Sequence, residues 1–172
     1  VPSIQVIGDY HDHPAYISAA AESVRRFWTQ SQKPEKLVLS FHGIPKEYVE
    51  KGDPYEAQCQ RTAALIAEAL SLEKDSWLAT FQSRLGRGEW LKPYTDEVLV
   101  KLGSEKLTSL DVLSPGFAVD CLETVDEIAH EGRKDFQNAG GGDFRYIPAL
   151  NASTLQVEAL SEIIFSSWGK NV

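Results

Sequence analysis

The sequence predicts an α/β fold with three layers, αβα, built around a four-stranded parallel sheet. Two observations support this prediction. Four short apolar runs alternate along the chain with longer segments of helical periodicity, and turn-forming residues separate them. Strands that alternate with helices form βαβ units, in which helices cover both faces of a parallel sheet. The order of the strands cannot be read from the sequence.

The first half of the chain supplies two helices and two strands. A helix begins at Pro14, because proline suits the first helical position. The apolar run LVLSF at 37–41 is a short buried strand. Asp53 can cap the next helix, with Glu56 three residues further on. A second strand follows in WLATFQS at 77–83.

The second half repeats this alternation. Thr95 caps a helix, and a third strand lies near 109–113. Asp120 opens the following helix, CLETVDEIAHEGRKDF, and the Gly-rich turn NAGGGD leads into a fourth strand, FRYIPAL. Ser153 and Gln156 have the spacing that caps the last helix.

Composition limits the possible functions. A length of 172 residues fits one domain, and a net charge of −8 argues against nucleic-acid binding, which requires basic residues to neutralise phosphates. No apolar stretch approaches the roughly 18–20 residues that span a bilayer, and the N-terminus lacks a signal-peptide pattern, so we expect a cytoplasmic location. The two cysteines, Cys59 and Cys121, have no zinc-site spacing. The chain lacks Met and begins with Val-Pro, and we therefore expect a piece of a longer protein.

Polar residues follow the predicted strands where ligands gather in open α/β sheets, beyond the carboxyl ends. His42 follows the first strand, Ser83 and Arg84 follow the second, and Glu123 lies in the helix after the third. A histidine here is either a structural or turn residue, or a base or metal ligand. The sequence alone leaves both alternatives open.

Three carboxylates share one predicted helical face, because Glu123, Glu127 and Glu131 are spaced at i, i+4 and i+8. Glu123 could instead complete a capping box with Asp120, and the whole face could be solvated. A line of carboxylates aimed at the crevice near His42 would form an oxygen-rich track for a divalent cation.

Three further features are weaker candidates. The loop SRLGRGEWLKPY places Trp90 beside Arg84 and Arg87, either as an ordinary surface loop or as a flat apolar wall with cationic edges. His11 and His13 flank Asp12, but a surface loop explains them better than a metal site. The three consecutive glycines of the NAGGGD turn precede a strand and lack the phosphate-binding framework, which indicates a flexible turn.

Four separated segments carry a resemblance to a known family. In chain order they are SFHGIPKEYVEKGDPY, TFQSRLGRGEWLKPYTDE, SPGFAVDCLETVDEIA and YIPALNAS, and together they resemble the ferrochelatases, most strongly the proteobacterial type. The resemblance runs from about residue 1 to the end but covers only the C-terminal half of the family. It implies that 1–172 form one chelatase-like (Rossmann-like) domain of a two-domain enzyme whose N-terminal domain is absent from this chain.

The resemblance also implies a reaction, the insertion of ferrous iron into protoporphyrin IX with release of two protons, which is the last step of haem biosynthesis and a lyase activity. It implies that His42 is a metal ligand or accepts pyrrole protons, and that Glu123 faces it across the macrocycle. Glu127 and Glu131 match an acidic line that guides metal or carries protons away. Alone, this half is expected to be weak or inactive.

The remaining implied roles concern substrate binding. Phe117 and Trp90 match aromatic residues near the pocket, whereas Ser83 and Arg84 match a motif near the edge of the macrocycle. Cys121 stands where eukaryotic members carry a second histidine, so that role does not transfer. Iron is a substrate, no resident cofactor or iron–sulfur cluster is expected, and a peripheral membrane contact is compatible with the family. Alternatives are a chelatase for another metal or tetrapyrrole, and a non-catalytic porphyrin- or haem-binding module.

Overall fold

A four-stranded parallel sheet forms the centre of the protein in a computed structural model, which describes residues 4–86 and 88–168. Its order is β2-β1-β3-β4. The strands are β1 (Lys36–His42), β2 (Trp77–Gln82), β3 (Ser109–Leu113) and β4 (Asp143–Ile147). The predicted fold class is therefore confirmed, and each strand lies within a few residues of its predicted position.

Helices cover both faces of the sheet. They are α1 (Pro14–Thr29), α2 (Lys46–Glu50), α3 (Tyr55–Ala69), α4 (Thr95–Ser104), α5 (Leu122–Thr124), a π-helix (Val125–Gly132), α6 (Arg133–Asn138) and α7 (Thr154–Trp168). Helices α1 and α3 pack on one face, with α7 against α1, whereas α4, α6 and the π-helix pack on the other. The short helix α2 was not predicted. Among the described residues, no helix has both the length and the apolar character needed to cross a bilayer.

Strand β1 shows why the apolar runs are continuous. Leu37, Leu39 and Phe41 contribute to the core beneath α1 and α3, whereas Val38 contributes to the core beneath α4 and α6. Successive side chains of a strand point to opposite faces, and both faces are covered, so every position from 37 to 41 is buried.

One of the three predicted caps is confirmed, because the Ser153 hydroxyl accepts a hydrogen bond from the Gln156 N–H at the start of α7. The N-cap of α3 is Pro54 rather than Asp53, although the Asp53 carboxylate does accept a hydrogen bond from the Tyr55 N–H. Thr95 does not cap α4. It is the first residue of that helix, and its buried hydroxyl lies 2.8 Å from the hydroxyl of Ser40 instead. A threonine near a helix start can serve either purpose, and only the packing decides between them.

The helix predicted from Asp120 begins later, at Leu122, and becomes a π-helix over Val125–Gly132. Four buried residues explain this geometry, because they recur every four positions: Thr124, Ile128, Gly132 and Phe136. An α-helix has 3.6 residues per turn, so side chains four positions apart shift progressively around its axis in one direction. In a π-helix, whose turn is wider, side chains four positions apart shift in the opposite direction. The mixture of both turns keeps this row facing the core.

The glycine turn is closely packed rather than flexible as predicted. Gly140 has φ +107°, a left-handed conformation that favours glycine. A Cβ on Gly141 would lie 2.4 Å from the ring of Phe136, and one on Gly142 would lie 2.2 Å from the backbone oxygen of Thr108. The glycines are therefore required by backbone conformation and close approach.

Candidate active site

A cavity of about 720 Å³ opens beside the carboxyl ends of β1 and β2. Its walls come from these strand ends, the following loop, α4 and the helical run that begins at Leu122. Seven of the residues singled out in the sequence line it: His42, Ser83, Arg84, Trp90, Glu123, Glu127 and Glu131. The volume lies within the range of small-molecule and cofactor sites, roughly 300–1,000 Å³.

His42 is the last residue of β1 and is half-buried. Its Nδ1 lies 2.7 Å from the backbone oxygen of Gly43. A carbonyl oxygen can only accept, so Nδ1 carries a proton, and in the neutral form of the ring Nε2 keeps a free lone pair. The hydroxyl of Tyr55 donates to the backbone oxygen of His42 at 2.9 Å, which fixes the residue from the opposite side.

Glu123 is exposed in the short helix α5 and lines the same cavity as His42. The thiol of Cys121 and the N–H of Glu123 itself hold the pKa of this carboxyl below its usual value, and the charge of His42 in its protonated form lowers the pKa further. Glu123 is therefore ionised at neutral pH. The cavity thus presents an imidazole and a carboxylate together.

Glu127 forms a clamp on Ser83. The Ser83 N–H donates to Oε1 of Glu127 at 2.6 Å, and the Ser83 hydroxyl donates to Oε2 at 2.5 Å. Ser83 has φ +64°, an uncommon conformation for a residue other than glycine. Both carboxylate oxygens are thus engaged with the end of β2, which differs from the open metal track that the sequence suggested.

The carboxylates that line the cavity, called the acidic wall below, outnumber the three glutamates that the sequence indicated. Asp96, Asp126 and Asp135 line the cavity together with Glu131. Asp135 continues the four-residue spacing of Glu123, Glu127 and Glu131, so the sequence did contain a signal for it. Asp96 lies on α4 and could be placed here only by the tertiary structure.

Arg84 is paired with acidic residues at the edge of the cavity. Its guanidinium donates to Asp96 at 2.6 Å and to Glu97 at 3.1 Å, and it lies 4.2 Å from the centre of the Tyr94 ring. The hydrogen bond that Arg84 donates to Glu97 is the main reason that the pKa of Arg84 is raised. A role in binding substrate anions would require this cation to exchange partners.

Trp90 is held in the loop after β2 by backbone contacts. An isolated bridge joins it to Pro45, and the neighbouring Leu91 N–H donates to the Ile44 oxygen at 3.0 Å. Leu85 and Leu122 line the mouth of the cavity with 80% and 77% of their surface exposed. Arg87, the second predicted cation of this loop, lies outside the described residues.

Phe117 lies behind His42, with 6.2 Å between the ring centres. It lines a second, smaller cavity of about 250 Å³, whose other walls include Tyr16, Tyr55 and Cys59. Burial raises the pKa of the Cys59 thiol to about 12, so this cysteine is an unreactive thiol. Phe117 thus contributes to the wall behind the histidine.

The histidines near the N-terminus divide between two environments. The ring of His13 accepts a hydrogen bond from the Ala15 N–H at the start of α1. In the part of the chain that the structure describes, Asp9, His11 and Asp12 place ligand-type atoms within 4.8 Å of one another. The His11 ring is already hydrogen-bonded to Asp9 at 2.7 Å, and this loop is distant in sequence from the cavity of His42.

Asp120 ties the loops after β3 and β4 to the start of the helix that carries Glu123. Its Oδ1 accepts hydrogen bonds from the Tyr146 hydroxyl at 2.7 Å and from Thr124 and Ala149 at 3.2 Å, and its Oδ2 accepts one from Asn151 at 2.8 Å. The predicted capping box between Asp120 and Glu123 is wrong. The side chain of Asp120 reaches β4 and its following loop instead.

We expect Asp120→Asn to lower the free energy of unfolding by about 1–3 kcal/mol near neutral pH, because hydrogen bonds to a carboxylate are lost. Burial raises the pKa of Asp120, but the hydrogen bonds from Asn151 and Tyr146 outweigh this and hold its pKa below the usual value. The stabilisation is therefore present above about pH 4 and is lost as the pH falls further. Urea unfolding over a pH series measures both effects.

The matched control is Asp126→Asn, which changes a carboxylate whose side chain is 63% exposed. It should alter the free energy of unfolding by less than about 0.5 kcal/mol. An equal loss of stability in both variants, or a loss in Asp120→Asn that does not depend on pH, would contradict the role assigned to Asp120.

The fold and the cavity together define a class of protein. A three-layer α/β domain whose strand ends present an imidazole and several carboxylates to one cavity belongs to the class of α/β proteins that bind a small molecule or metal beyond the carboxyl ends of their strands. A family model supports this class and refines it. The model named Ferrochelatase matches residues 1–167, and the chain belongs to the ferrochelatase family.

Curated relatives agree with this assignment. A ferrochelatase of Thioalkalivibrio sulfidiphilus is 52% identical over 164 residues, which are 95% of this chain and 44% of that protein. A ferrochelatase of Methylobacillus flagellatus is 52% identical over 163 residues, 95% of this chain and 47% of that protein. A ferrochelatase of Methylococcus capsulatus is 53% identical over 160 residues, 93% of this chain and 49% of that protein. The chain spans about half the length of the curated relatives it matches.

Proposed function

We propose that this chain supplies one half of an enzyme that inserts ferrous iron into protoporphyrin IX to form protohaem. The single observation that carries the proposal is that His42 and Glu123 line the same cavity. Family membership supports the choice of reaction, since the relatives are named ferrochelatases.

The residue types match the chemistry of insertion. A porphyrin must lose two protons from its pyrrole nitrogens when a dication takes their place. The Nε2 lone pair of His42 can accept a proton or bind the metal, whereas the Glu123 carboxylate can attract the cation or accept the other proton. Glu131, Asp126 and Asp135 form an acidic wall along which metal or protons can move.

The remaining residues suit a planar, anionic substrate. Trp90, Leu85 and Leu122 offer apolar surface to the macrocycle. Arg84 offers a cation for a carboxylate at its rim once it exchanges its present acidic partners for the substrate. Phe117 supports the His42 ring from behind. Glu127 acts on Ser83 and therefore serves the shape of the site rather than supplying an open metal ligand.

We further propose that an N-terminal domain of the same polypeptide covers the cavity from the other side, which accords with the length of the relatives. We also propose that the activity is a lyase activity in the cytoplasm and that it uses no iron–sulfur cluster. The exposed Leu85 and Leu122 at the cavity mouth support a peripheral membrane contact.

Metal insertion by a polypeptide of the relatives' full length tests the proposal. Fe²⁺ and Co²⁺ should each be offered with protoporphyrin IX and with other tetrapyrroles, and the metalated product followed by its absorption. Turnover with Fe²⁺ and protoporphyrin IX is expected, whereas residues 1–172 alone should be much less active. Preference for another metal or tetrapyrrole would favour a different chelatase. Tight porphyrin or haem binding without turnover would favour a non-catalytic binding module.

A further inference from the structure

We propose that Gln82 is a positioning residue that sets the placement of Glu123 relative to His42, an inference that rests on the proposed metal insertion. Gln82 is the last residue of β2 and has only 4% of its surface exposed. It is paired with His42 across the sheet and lies at the wall of the cavity. Its amide side chain carries no charge and does not titrate, so any effect on the reaction must come from the hydrogen bonds that it makes.

The backbone of Gln82 holds the end of β1. Its carbonyl oxygen accepts a hydrogen bond from the Gly43 N–H at 2.8 Å. A Cβ on Gly43 would lie 2.9 Å from that oxygen and 3.3 Å from the ring of Trp90. The residue after His42 is thus packed closely against Gln82, and the two strand ends move together.

The side chain of Gln82 holds the segment that carries Glu123. Its Nε2 donates to the backbone oxygen of Glu123 at 2.5 Å. Its Oε1 accepts hydrogen bonds from Ser40 at 2.8 Å and from Ser114 at 3.3 Å. These two hydroxyls can donate to an oxygen, which orients the amide so that its N–H bonds point toward Glu123.

This arrangement is rigid because it is buried. Ser40 and Ser114 have at most 1% of their surface exposed, and the hydroxyls of Thr95 and Thr80 continue the contacts beyond Ser40 in steps of 2.8 Å. A buried polar group that loses its partner is costly, so each contact resists rearrangement. Through its side chain, Gln82 links β1 and the residue after β3 to the start of α5, and Ser40 extends this network to α4. Its backbone contacts the residue after His42, and its side chain contacts Glu123, so Gln82 connects the two reactive residues.

The variant Gln82→Met in a full-length enzyme tests this role, since methionine has a similar shape but cannot donate to Glu123. We expect kcat to fall by about 10- to 100-fold, because small displacements of reacting groups have effects of this size. The KM for porphyrin should stay within about twofold, because the apolar walls remain in place. Ser40→Ala, which removes one of the hydroxyls that orient the amide, should lower kcat in the same direction by a smaller factor.

The control is Trp28→Phe, which removes a hydrogen bond of 2.7 Å to the buried Asp111 in a different part of the sheet. It should lower the unfolding temperature and leave kcat within about twofold. A wild-type kcat in Gln82→Met, or an equal loss of kcat in Trp28→Phe, would overturn the inference.

A crystal structure of Gln82→Met separates this inference from the proposed function. The distance between the Glu123 carboxylate and the His42 ring should change by about an ångström or more, the scale at which geometry affects catalysis. An unchanged distance would overturn the inference even if the wild-type enzyme inserts iron. Absence of metal insertion by the wild-type enzyme would refute the proposed function, whereas the structure would still test the role of Gln82.

Discussion

Replacing His42 with alanine in a polypeptide of full length is expected to lower kcat for metal insertion by about 10²- to 10⁴-fold, the range over which a general acid–base residue contributes. The variant loses the Nε2 nitrogen of the imidazole and its lone pair. Nδ1 is engaged in a hydrogen bond to the backbone oxygen of Gly43, so Nε2 is the ring nitrogen of His42 that remains for the reaction. Initial rates of metalloporphyrin formation, measured with saturating porphyrin, report the change directly.

Two comparisons make this result specific. His130→Ala removes an imidazole whose side chain is 63% exposed on the same helical run as the acidic wall, and it should leave kcat within about twofold. Imidazole added to the buffer should restore part of the activity of His42→Ala. Activity of His42→Ala equal to that of the wild type would refute the assignment of this residue, and so would an equal loss in His130→Ala.

Replacing Arg145 with leucine is expected to lower the free energy of unfolding by about 3–5 kcal/mol, because it leaves the buried Asp111 without its cation. Asp111 is fully buried in β3, and Arg145 donates to its two carboxylate oxygens at 2.7 Å and 3.1 Å. Trp28 supplies a further hydrogen bond of 2.7 Å. Equilibrium urea unfolding followed by circular dichroism measures the loss.

The pH dependence of this loss has a defined sign. Burial raises the pKa of Asp111, and the hydrogen bonds from Arg145 and Trp28 oppose that effect. Without Arg145, the pKa in the folded state rises further above its unfolded value of about 3.9. The folded variant then binds a proton more tightly than the unfolded chain does, so its stability falls as the pH rises through this interval. The destabilisation should therefore be larger near neutral pH than in mild acid.

The double variant Asp111→Asn with Arg145→Leu is the matched control. It removes the unpaired charge and keeps an oxygen that can accept the hydrogen bond from Trp28. It should recover part of the stability lost in the single variant and show little dependence on pH. If the double variant were as unstable as Arg145→Leu at every pH, the cost would come from lost packing of the arginine rather than from the buried carboxylate.

The fold class was predictable because a parallel sheet covered on both faces requires continuous apolar strands, and these are visible in the sequence. Helix details were less predictable. Thr95 and Asp120 lie at the start of helical segments and have side chains that commonly cap them, yet their oxygens bond to other strands and loops. The preference of these residue types for helix ends cannot reveal such long-range partners, because their side chains form chemically similar hydrogen bonds with a helix end and with a distant strand.

The candidate site was predictable to the extent that it depends on topology. Parallel strands end at one edge of the sheet, so His42 and Ser83 were expected at the same edge, and helical spacing placed Glu123, Glu127 and Glu131 on one side. The engagement of Glu127 by Ser83 could not be predicted, because it depends on the left-handed backbone of Ser83 and on the exact approach of the helical run. Gln82 was overlooked because an uncharged residue at a strand end resembles an ordinary strand terminus.

The π-helix imposes a constraint on chain length in the segment between Glu123 and Phe136. Core-facing and cavity-facing residues there follow the same interval of four, so deleting or inserting one residue would rotate everything on one side of the change by roughly a quarter turn relative to the other. The carboxylates would then face the core or the core residues would face the cavity. Variants of the acidic wall should therefore substitute residues in this segment and keep their number unchanged.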